Sequence, residues 1–313
     1  MILVTVGAQL PFDRLIRAVD RWAGDHQVKD IFAQIGQSDY IPQNMPYAKF
    51  LDYDQFHEKI SQCTLLISHA GMGSIITAME LGKPVLMMPR RADLGEHRND
   101  HQLATSASMK ERGRLEVAMD EEELYQRLCH PGELHSSASL APCASGALIK
   151  ALREFVERGS KNTGRKVRVL ALSSGGGHWI QLKRLSPAFT EHSLMFSTVD
   201  PAARGGVNGH PFFTVPDANR WQKLRLIWCA LSVISILLRS RAEVILSTGA
   251  APGYFAILFG KCLGRKTIWV DSIANAAELS LSGRKALKIA DLTLTQWPQL
   301  EEKEGPFYAG DVL

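Results

Sequence analysis

Short unbroken apolar runs alternate with amphipathic stretches along this chain. Residues 2–6 (ILVTV) are apolar throughout, as a parallel strand buried on both faces is. They run into Gly7, Ala8 and Gln9, and then into a stretch near 12–22 whose periodicity predicts a helix. A second run, 63–67, ends in ISHAGMGS (67–74), and 75–81 continues as a helix until Gly82 and Pro84 break it. A third, 85–88, ends at Pro89. The pattern restarts at 167–172 (VRVLAL), which leads through SSGGGH (173–178) into a predicted helix. It recurs at 244–253 (VILSTGAAPG) and at 267–270 (TIWV), the latter ending at Asp271 and Ser272. Between the halves, 159–165 (GSKNTGR) reads as an exposed linker. The expected architecture is α/β: two doubly wound parallel sheets, over 1–160 and 166–313. Ligands of such sheets bind beyond the carboxyl ends of the strands, where the glycine turns lie.

Charge divides the halves. Residues 1–160 hold 17 Lys and Arg against 21 Asp and Glu, a balance of −4, whereas 161–313 hold 19 against 11, a balance of +8. A basic half beside an acidic one suggests that one half alone faces an anionic surface. Basic residues form no run longer than two and are not interleaved with aromatics, which places lipid ahead of nucleic acid. The five cysteines contain no C-x-x-C pair, so neither a disulfide framework nor a zinc site is indicated. A reducing cytoplasmic setting fits, and MILVTVGAQ is too short and glycine-interrupted for a signal peptide.

The turn at 67–74 has two readings. A glycine-rich passage from strand to helix leaves backbone N–H groups aimed at whatever lies over the helix N-terminus, where the dipole favours an anion. Glycines also occur in such turns for steric reasons alone.

VGAQLPFDRLI (6–16), ISHAGMGSIITAMELGKPVLMMP (67–89) and NDHQLA (99–104) resemble the donor-binding half of a GT-B glycosyltransferase. The relatives are the catalytic subunit of the two-subunit dolichol-linked N-acetylglucosaminyltransferase and its bacterial exopolysaccharide counterparts. SSGGGH (173–178), STGAAPG (247–253), WVDSIANAAELSLSG (269–283) and TQWP (295–298) resemble the membrane-associated partner subunit. Both halves also look like the lipid-II-forming transferase of peptidoglycan synthesis with their order reversed. The resemblance implies a GT-B fold and an inverting transfer, independent of metal or other cofactor. Sugar would move from a UDP donor to a polyprenyl-diphosphate-linked acceptor, on a protein held peripherally at the cytoplasmic face of the plasma membrane.

Carried onto these positions, the resemblance implies donor binding by Gly7, Ala8, Gln9, Ser68, His69, Gly71, Met72, Gly73, Ser74, Thr77, Asn99, His101 and Gln102. His69 is either a neighbour of the nucleotide or a structural cap. Thr77 stands where many relatives place an acidic residue for the donor ribose, with Glu80 one turn later as a substitute. On the acceptor side the candidates are Gly176, Gly177, Gly249, Gly253, Ser272 and Asn275. His178, after three glycines at a strand end, is the expected base, since an imidazole titrates near neutral pH. A helix-start histidine bonded to backbone is the alternative. Asp271 is either a second base candidate or the group that orients His178. Asp52-Tyr53-Asp54 mimics a metal-binding acidic motif, but Asp54 reads as a helix N-cap. No metal site is expected.

Two further expectations follow from residue chemistry. Arg90 and Arg91, at the end of the 85–89 strand, suit the carboxylate of glucuronic acid, which some exopolysaccharide relatives transfer in β-1,4 linkage. Alternatively, one touches diphosphate and the other pairs with Asp93 or Glu96. UDP-N-acetylglucosamine and UDP-galactose remain alternative donors, and a UDP-sugar epimerase or a non-catalytic recruiting subunit alternative functions. The most apolar stretch, 226–238 (LIWCALSVISILL), is flanked by Lys223, Arg225, Arg239 and Arg241 and is too short to span a bilayer. It reads either as a core helix or as a helix lying in the membrane interface with basic ends on anionic headgroups.

Overall fold

The computed structural model describes every residue except 8–9, 98–99, 112, 114, 135–139, 159–164, 208 and 219–221. The chain divides into two units, Met1–Leu140 and Ala141–Leu313.

In the first unit the apolar runs become β1 (Ile2–Thr5), β2 (Ile31–Gln34), β3 (Tyr47–Ala48), β4 (Leu65–His69), β5 (Val85–Met88) and β6 (Glu116–Val117). All pair parallel, in the order β3-β2-β1-β4-β5-β6. The connecting helices are α1 (Asp13–Asp25), α2 (Tyr53–Gln62), α3 (Met72–Glu80), α4 (His101–Glu111) and α5 (Glu121–Cys129). Leu15, Ile16, Val19 and Trp22 form the inner stripe of α1, and they pack on Val4, Ala33, Ile67 and Leu86 of the sheet. Each such side chain contributes about 1.5–3 kcal/mol on full burial, so this face holds the helix. The expected Asp54 cap is corrected to Asp52. Its carboxylate accepts from Gln55 N at 2.8 Å while the Gln55 side chain accepts from Asp52 N at 3.2 Å, a reciprocal capping box.

The second unit holds α6 (Gly146–Glu157), β7 (Arg168–Leu172), α7 (Gly177–Leu185), β8 (Ser193–Thr198) and β9 (Phe212–Thr214). It continues with α8 (Lys223–Ser240), β10 (Val244–Ser247), α9 (Ala250–Cys262), β11 (Lys266–Val270), α10 (Leu281–Ala286), β12 (Leu292–Thr295) and β13 (Phe307–Tyr308). The parallel sheet runs β13-β12-β11-β10-β7-β8-β9. Counted from its own first strand, this repeats the order of the other unit with one strand added. Each sheet therefore has one point where the chain reverses its direction of winding: between β1 and β4 in the first, between β7 and β10 in the second.

The boundary expected near 160 moves to 140. Helix α6 buries Leu148, Ile149, Leu152 and Val156, and its lead-in is tied to the second unit. Ser145 N donates to Asp311 O at 3.0 Å and Ala144 N to Arg184 O at 2.9 Å. The Arg184 guanidinium donates to the carbonyls of Ala141, Cys143 and Val312 at 2.6–2.9 Å. Most of the expected linker, 159–164, lies outside the described residues.

Helix α8 extends beyond the 226–238 stretch at both ends and joins its two readings. Cys229, Val233, Ile236 and Leu237 pack with Leu170, Leu172 and Ile245 of the sheet. Leu224, Ile227, Trp228, Leu231 and Leu238, at helical spacing on the other side, are exposed by 83, 58, 66, 62 and 59%. Among the described residues no helix is long and apolar enough to cross a membrane.

Candidate active site

At the switch point of the first unit, β4 ends in Ser68 and His69, and α3 begins after Gly71. A Cβ on Gly71 would lie 2.1 Å from His69 Nε2, and one on Gly7, at the end of β1, 2.8 Å from His69 Cε1. These two glycines therefore make room for the imidazole. Burial is the main cause that drives the pKa of His69 down, to about 3, and the Arg90 charge adds to it; a hydrogen bond to Thr5 backbone opposes both. The ring is neutral at physiological pH. Its Nδ1 is buried with no protein partner among the described residues, so it is an acceptor site open to a donor group.

Helix α3 has no side chain capping its N-terminus, in contrast to α2, α5 and α10, which Asp52, Asp120 and Ser280 cap. The first-turn N–H groups of α3, around the half-buried Gly73 and Ser74, are thus available to an anion. Met72 is buried, and so is Thr77, whose hydroxyl donates to Gly73 O at 3.0 Å within the helix. Ser68 is buried and turns its hydroxyl to His69 O at 2.8 Å. His101 stacks edge-on against His97, with ring centroids 4.5 Å apart. Buried Gln102 accepts from Arg90 N at 3.1 Å. Ala8, Gln9 and Asn99 lie outside the described residues.

Arg90 and Arg91 do not form the expected open pair. Arg90 is buried and donates to the carbonyls of Val6 and Leu10, each at 2.7 Å, and of Pro11 at 3.4 Å. Burial lowers its pKa to about 10, which still leaves it charged at neutral pH. Arg91 is bound in a fork by Asp93 at 2.7 and 3.1 Å.

The second unit repeats the arrangement at β7 and β10. Gly176 takes φ +61° and starts α7, whose second residue is His178. His178 Nδ1 and the Thr248 carbonyl are 2.9 Å apart, and Thr248 Oγ1 returns a hydrogen bond to His178 O at 2.8 Å. A carbonyl only accepts, so Nδ1 carries the proton and Nε2 holds the lone pair. Burial lowers the pKa of this imidazole; the Thr248 hydrogen bond and, less strongly, the Asp271 charge oppose it. The chain then passes through Gly249 at φ +145°, ψ −178°, which only glycine adopts readily. A Cβ there would stand 2.4 Å from the His178 ring.

Asp271 has a different use. Its carboxylate accepts from Trp269 Nε1, Asn275 Nδ2, Ser280 N and Ser280 Oγ at 2.6–3.0 Å. With both oxygens occupied and the residue 2% exposed, Asp271 organises the turn after β11. Asn275 is engaged by it. Ser272 accepts from Gln181 Nε2 at 3.0 Å, and a Cβ on Gly253 would meet Ser247 Oγ at 2.0 Å, so that glycine brings α9 close to β10. Gln181, Gln296 and Thr248 escaped the sequence reading. Thr248 and Gln296 fall inside the quoted motifs at 247–253 and 295–298 without being singled out, and Gln181 lies three residues after His178 on the same helix face. Among the described residues no three or more His, Cys, Asp or Glu side chains are grouped to hold a metal ion.

Known protein domains resemble part of each unit. Residues 1–145 match the glycosyltransferase family 28 C-terminal domain, and residues 221–311 match the oligosaccharide biosynthesis protein Alg14-like domain. The chain thus carries a stretch similar to a glycosyltransferase family 28 C-terminal domain followed by one similar to an Alg14-like domain. The human UDP-N-acetylglucosamine transferase subunit ALG13 is 28% identical over 162 residues, which are 47% of this chain and 14% of that protein. The match thus spans about a seventh of the length of that curated relative. Among solved structures, Acinetobacter baumannii MurG is similar at TM-score 0.38 and 9% identity, over 46% of each chain. An ALG13 solution structure gives TM-score 0.33 at 19% identity, over 44% of this chain and 87% of that one. A Neisseria meningitidis UDP-GlcNAc 2-epimerase gives 0.23 at 11%, over 92% and 85%.

Proposed function

We propose that the protein is an inverting, UDP-sugar-dependent glycosyltransferase, with the first unit holding the donor and the second activating a lipid-linked acceptor. The observation that carries this reading is the switch point of each sheet. Each has a glycine-walled turn, a neutral enclosed imidazole and a helix that starts without a side-chain cap. The first-turn N–H groups of α3 suit a diphosphate, whose growing charge as the glycosidic bond breaks they would stabilise without a cation. His69 Nδ1 offers a hydrogen-bond acceptor to the same ligand. In the second unit, His178 Nε2 is the base that takes the proton of the attacking acceptor hydroxyl. Its depressed pKa keeps it in the proton-accepting form at neutral pH, and Thr248 fixes the tautomer.

The membrane reading is supported by the outer face of α8, where Leu224, Ile227, Trp228 and Leu231 lie exposed near Lys223 and Arg225. An amphipathic helix of this kind lies in the interface with its basic residues on anionic headgroups, which suits a polyprenyl-linked acceptor and places the enzyme peripherally on the inner leaflet.

For the donor sugar, the glucuronate reading and its exopolysaccharide context rest on two arginines that are committed to Asp93 and to backbone carbonyls. The human relative's name points to UDP-N-acetylglucosamine, and that is the donor proposed. The test is ligand-induced thermal stabilisation across UDP-N-acetylglucosamine, UDP-galactose, UDP-glucose and UDP-glucuronate, followed by transfer of labelled sugar to a short-chain polyprenyl-diphosphate glycan. Stabilisation by none of the four refutes the transferase reading, and preference for UDP-glucuronate reinstates the hexuronate.

A further inference from the structure

Two loops flank the β4–α3 turn, because β1 and β5 are the neighbours of β4 in the sheet. One follows β1 and includes Val6, Leu10, Pro11 and Phe12; the other follows β5 and includes Pro89, Arg90, Arg91 and Glu96. Each sends an arginine into the other. Arg90, from the second loop, donates to the carbonyls of Val6, Leu10 and Pro11 in the first. Arg14, in the first turn of α1, makes the return connection. Its Nε and Nη2 grip the two oxygens of Glu96 at 2.7 and 2.9 Å, and Nη2 also donates to Pro89 O at 3.0 Å. Nη1 takes a third partner, Glu121 on α5, at 3.0 Å. Glu96 in turn accepts from Arg91 N at 2.9 Å, so the carboxylate closes its own loop. The ring of Phe12, 1% exposed, lies near both guanidiniums, 5.4 Å from Arg14 Cζ and 5.0 Å from Arg90 Cζ.

We infer that Arg14 and Glu96 are positioning residues for the nucleoside diphosphate, acting by holding the two loops at a fixed separation over the His69–Gly71 turn. The inference rests on the donor-site reading above. Its physical basis is the stiffness of the connection. A bidentate guanidinium–carboxylate pair fixes both distance and angle, and with side chains 11% and 12% exposed it is little screened by salt. An ammonium at position 14 keeps the charge and loses the fork. A ligand spanning the turn then meets loops already in place, and ordering them costs nothing at the moment of binding.

The test is titration of UDP into the full-length protein at 20 °C. Arg14→Gln and Glu96→Gln are expected to weaken binding at least tenfold, and Arg14→Lys less than Arg14→Gln. Glu121→Gln removes only the outer contact of Arg14 and is expected to stay within twofold of the unmutated protein. A pair that merely stabilised the fold would lower the melting temperature of the variants and leave UDP affinity of the folded protein unchanged, and that result overturns the inference. Should Glu96→Gln fail to fold, Glu96→Asp keeps the charge, shortens the reach and carries the same test. Absence of UDP binding by the unmutated protein refutes the donor-site reading, and this inference with it. Normal binding by the protein and all its variants refutes the inference alone.

Discussion

Replacing Gly249 by alanine tests the acceptor-side geometry at its tightest point. The residue sits at φ +145°, ψ −178°, a region that costs a side-chain-bearing residue about 1–3 kcal/mol. The new Cβ would also stand 2.4 Å from Nδ1 and Cε1 of His178, too close for the ring to stay. Moving the ring breaks its 2.9 Å hydrogen bond to Thr248 O, worth about 0.5–1.5 kcal/mol. The expected loss is then about 2–4 kcal/mol, borne by the unit Ala141–Leu313. For a unit of this size that corresponds to a fall of roughly 5–15 °C in its melting temperature. Turnover should fall further than stability explains, by about 10²–10⁴-fold, because the displaced imidazole can no longer act as a base. Calorimetry and transfer assays at 15 °C, where the variant is still folded, separate the two effects. An unchanged melting temperature refutes the placement of the ring against Gly249. A lower one with full turnover by the folded protein refutes His178 as the base.

Three further outcomes are expected. His178→Gln should cut turnover about 10²–10⁴-fold with UDP affinity unchanged, because the proposed donor residues lie in the other unit; a matching loss of UDP affinity contradicts that division. Both imidazoles titrate below their unfolded value of about 6.5, His69 near 3, so the unfolded chain takes up protons that the native state refuses. Stability present above pH 6.5 should therefore drain away as pH falls toward 3, at about 1.4 kcal/mol per pH unit for His69. Urea denaturation between pH 4 and 7 should show a shallower slope in His69→Gln, and parallel slopes sink the account. Trp228→Glu with Leu231→Glu should release the protein from anionic liposomes in flotation while leaving UDP binding intact. Insolubility of that double variant would make the outer face of α8 part of a protein core.

The strand-and-turn framework is legible in the residues because parallel strands buried on both faces leave unbroken apolar runs, as at 65–69 and 244–247. The glycines at 7, 71 and 249 are legible as places of close approach, though sequence alone suggests a phosphate where the nearest neighbour is an imidazole. Position 140 is not legible, because the apolar stripe of α6 looks the same whichever sheet it covers. Nor is the fate of Arg90, Arg91 and Asp271: a charged residue at a strand end reads as functional until its partners in distant loops are seen. The 226–238 run resisted a single reading because α8 is apolar on two opposite sides, and a one-dimensional pattern does not distinguish a helix with two apolar faces from one wholly buried.

On the proposed interfacial reading, that double face would also set how the second unit meets a bilayer. Helix α8 leads through a short turn into β10 and packs along β7 and β10. A helix lying flat in the interface holds the strands beneath it flat as well. The carboxyl edge of the sheet, with Thr248, Gly249 and His178, then opens sideways along the membrane and not away from it. On the proposed membrane reading, a lipid-linked acceptor would approach the imidazole along the bilayer surface, with its polyprenyl tail kept in the membrane.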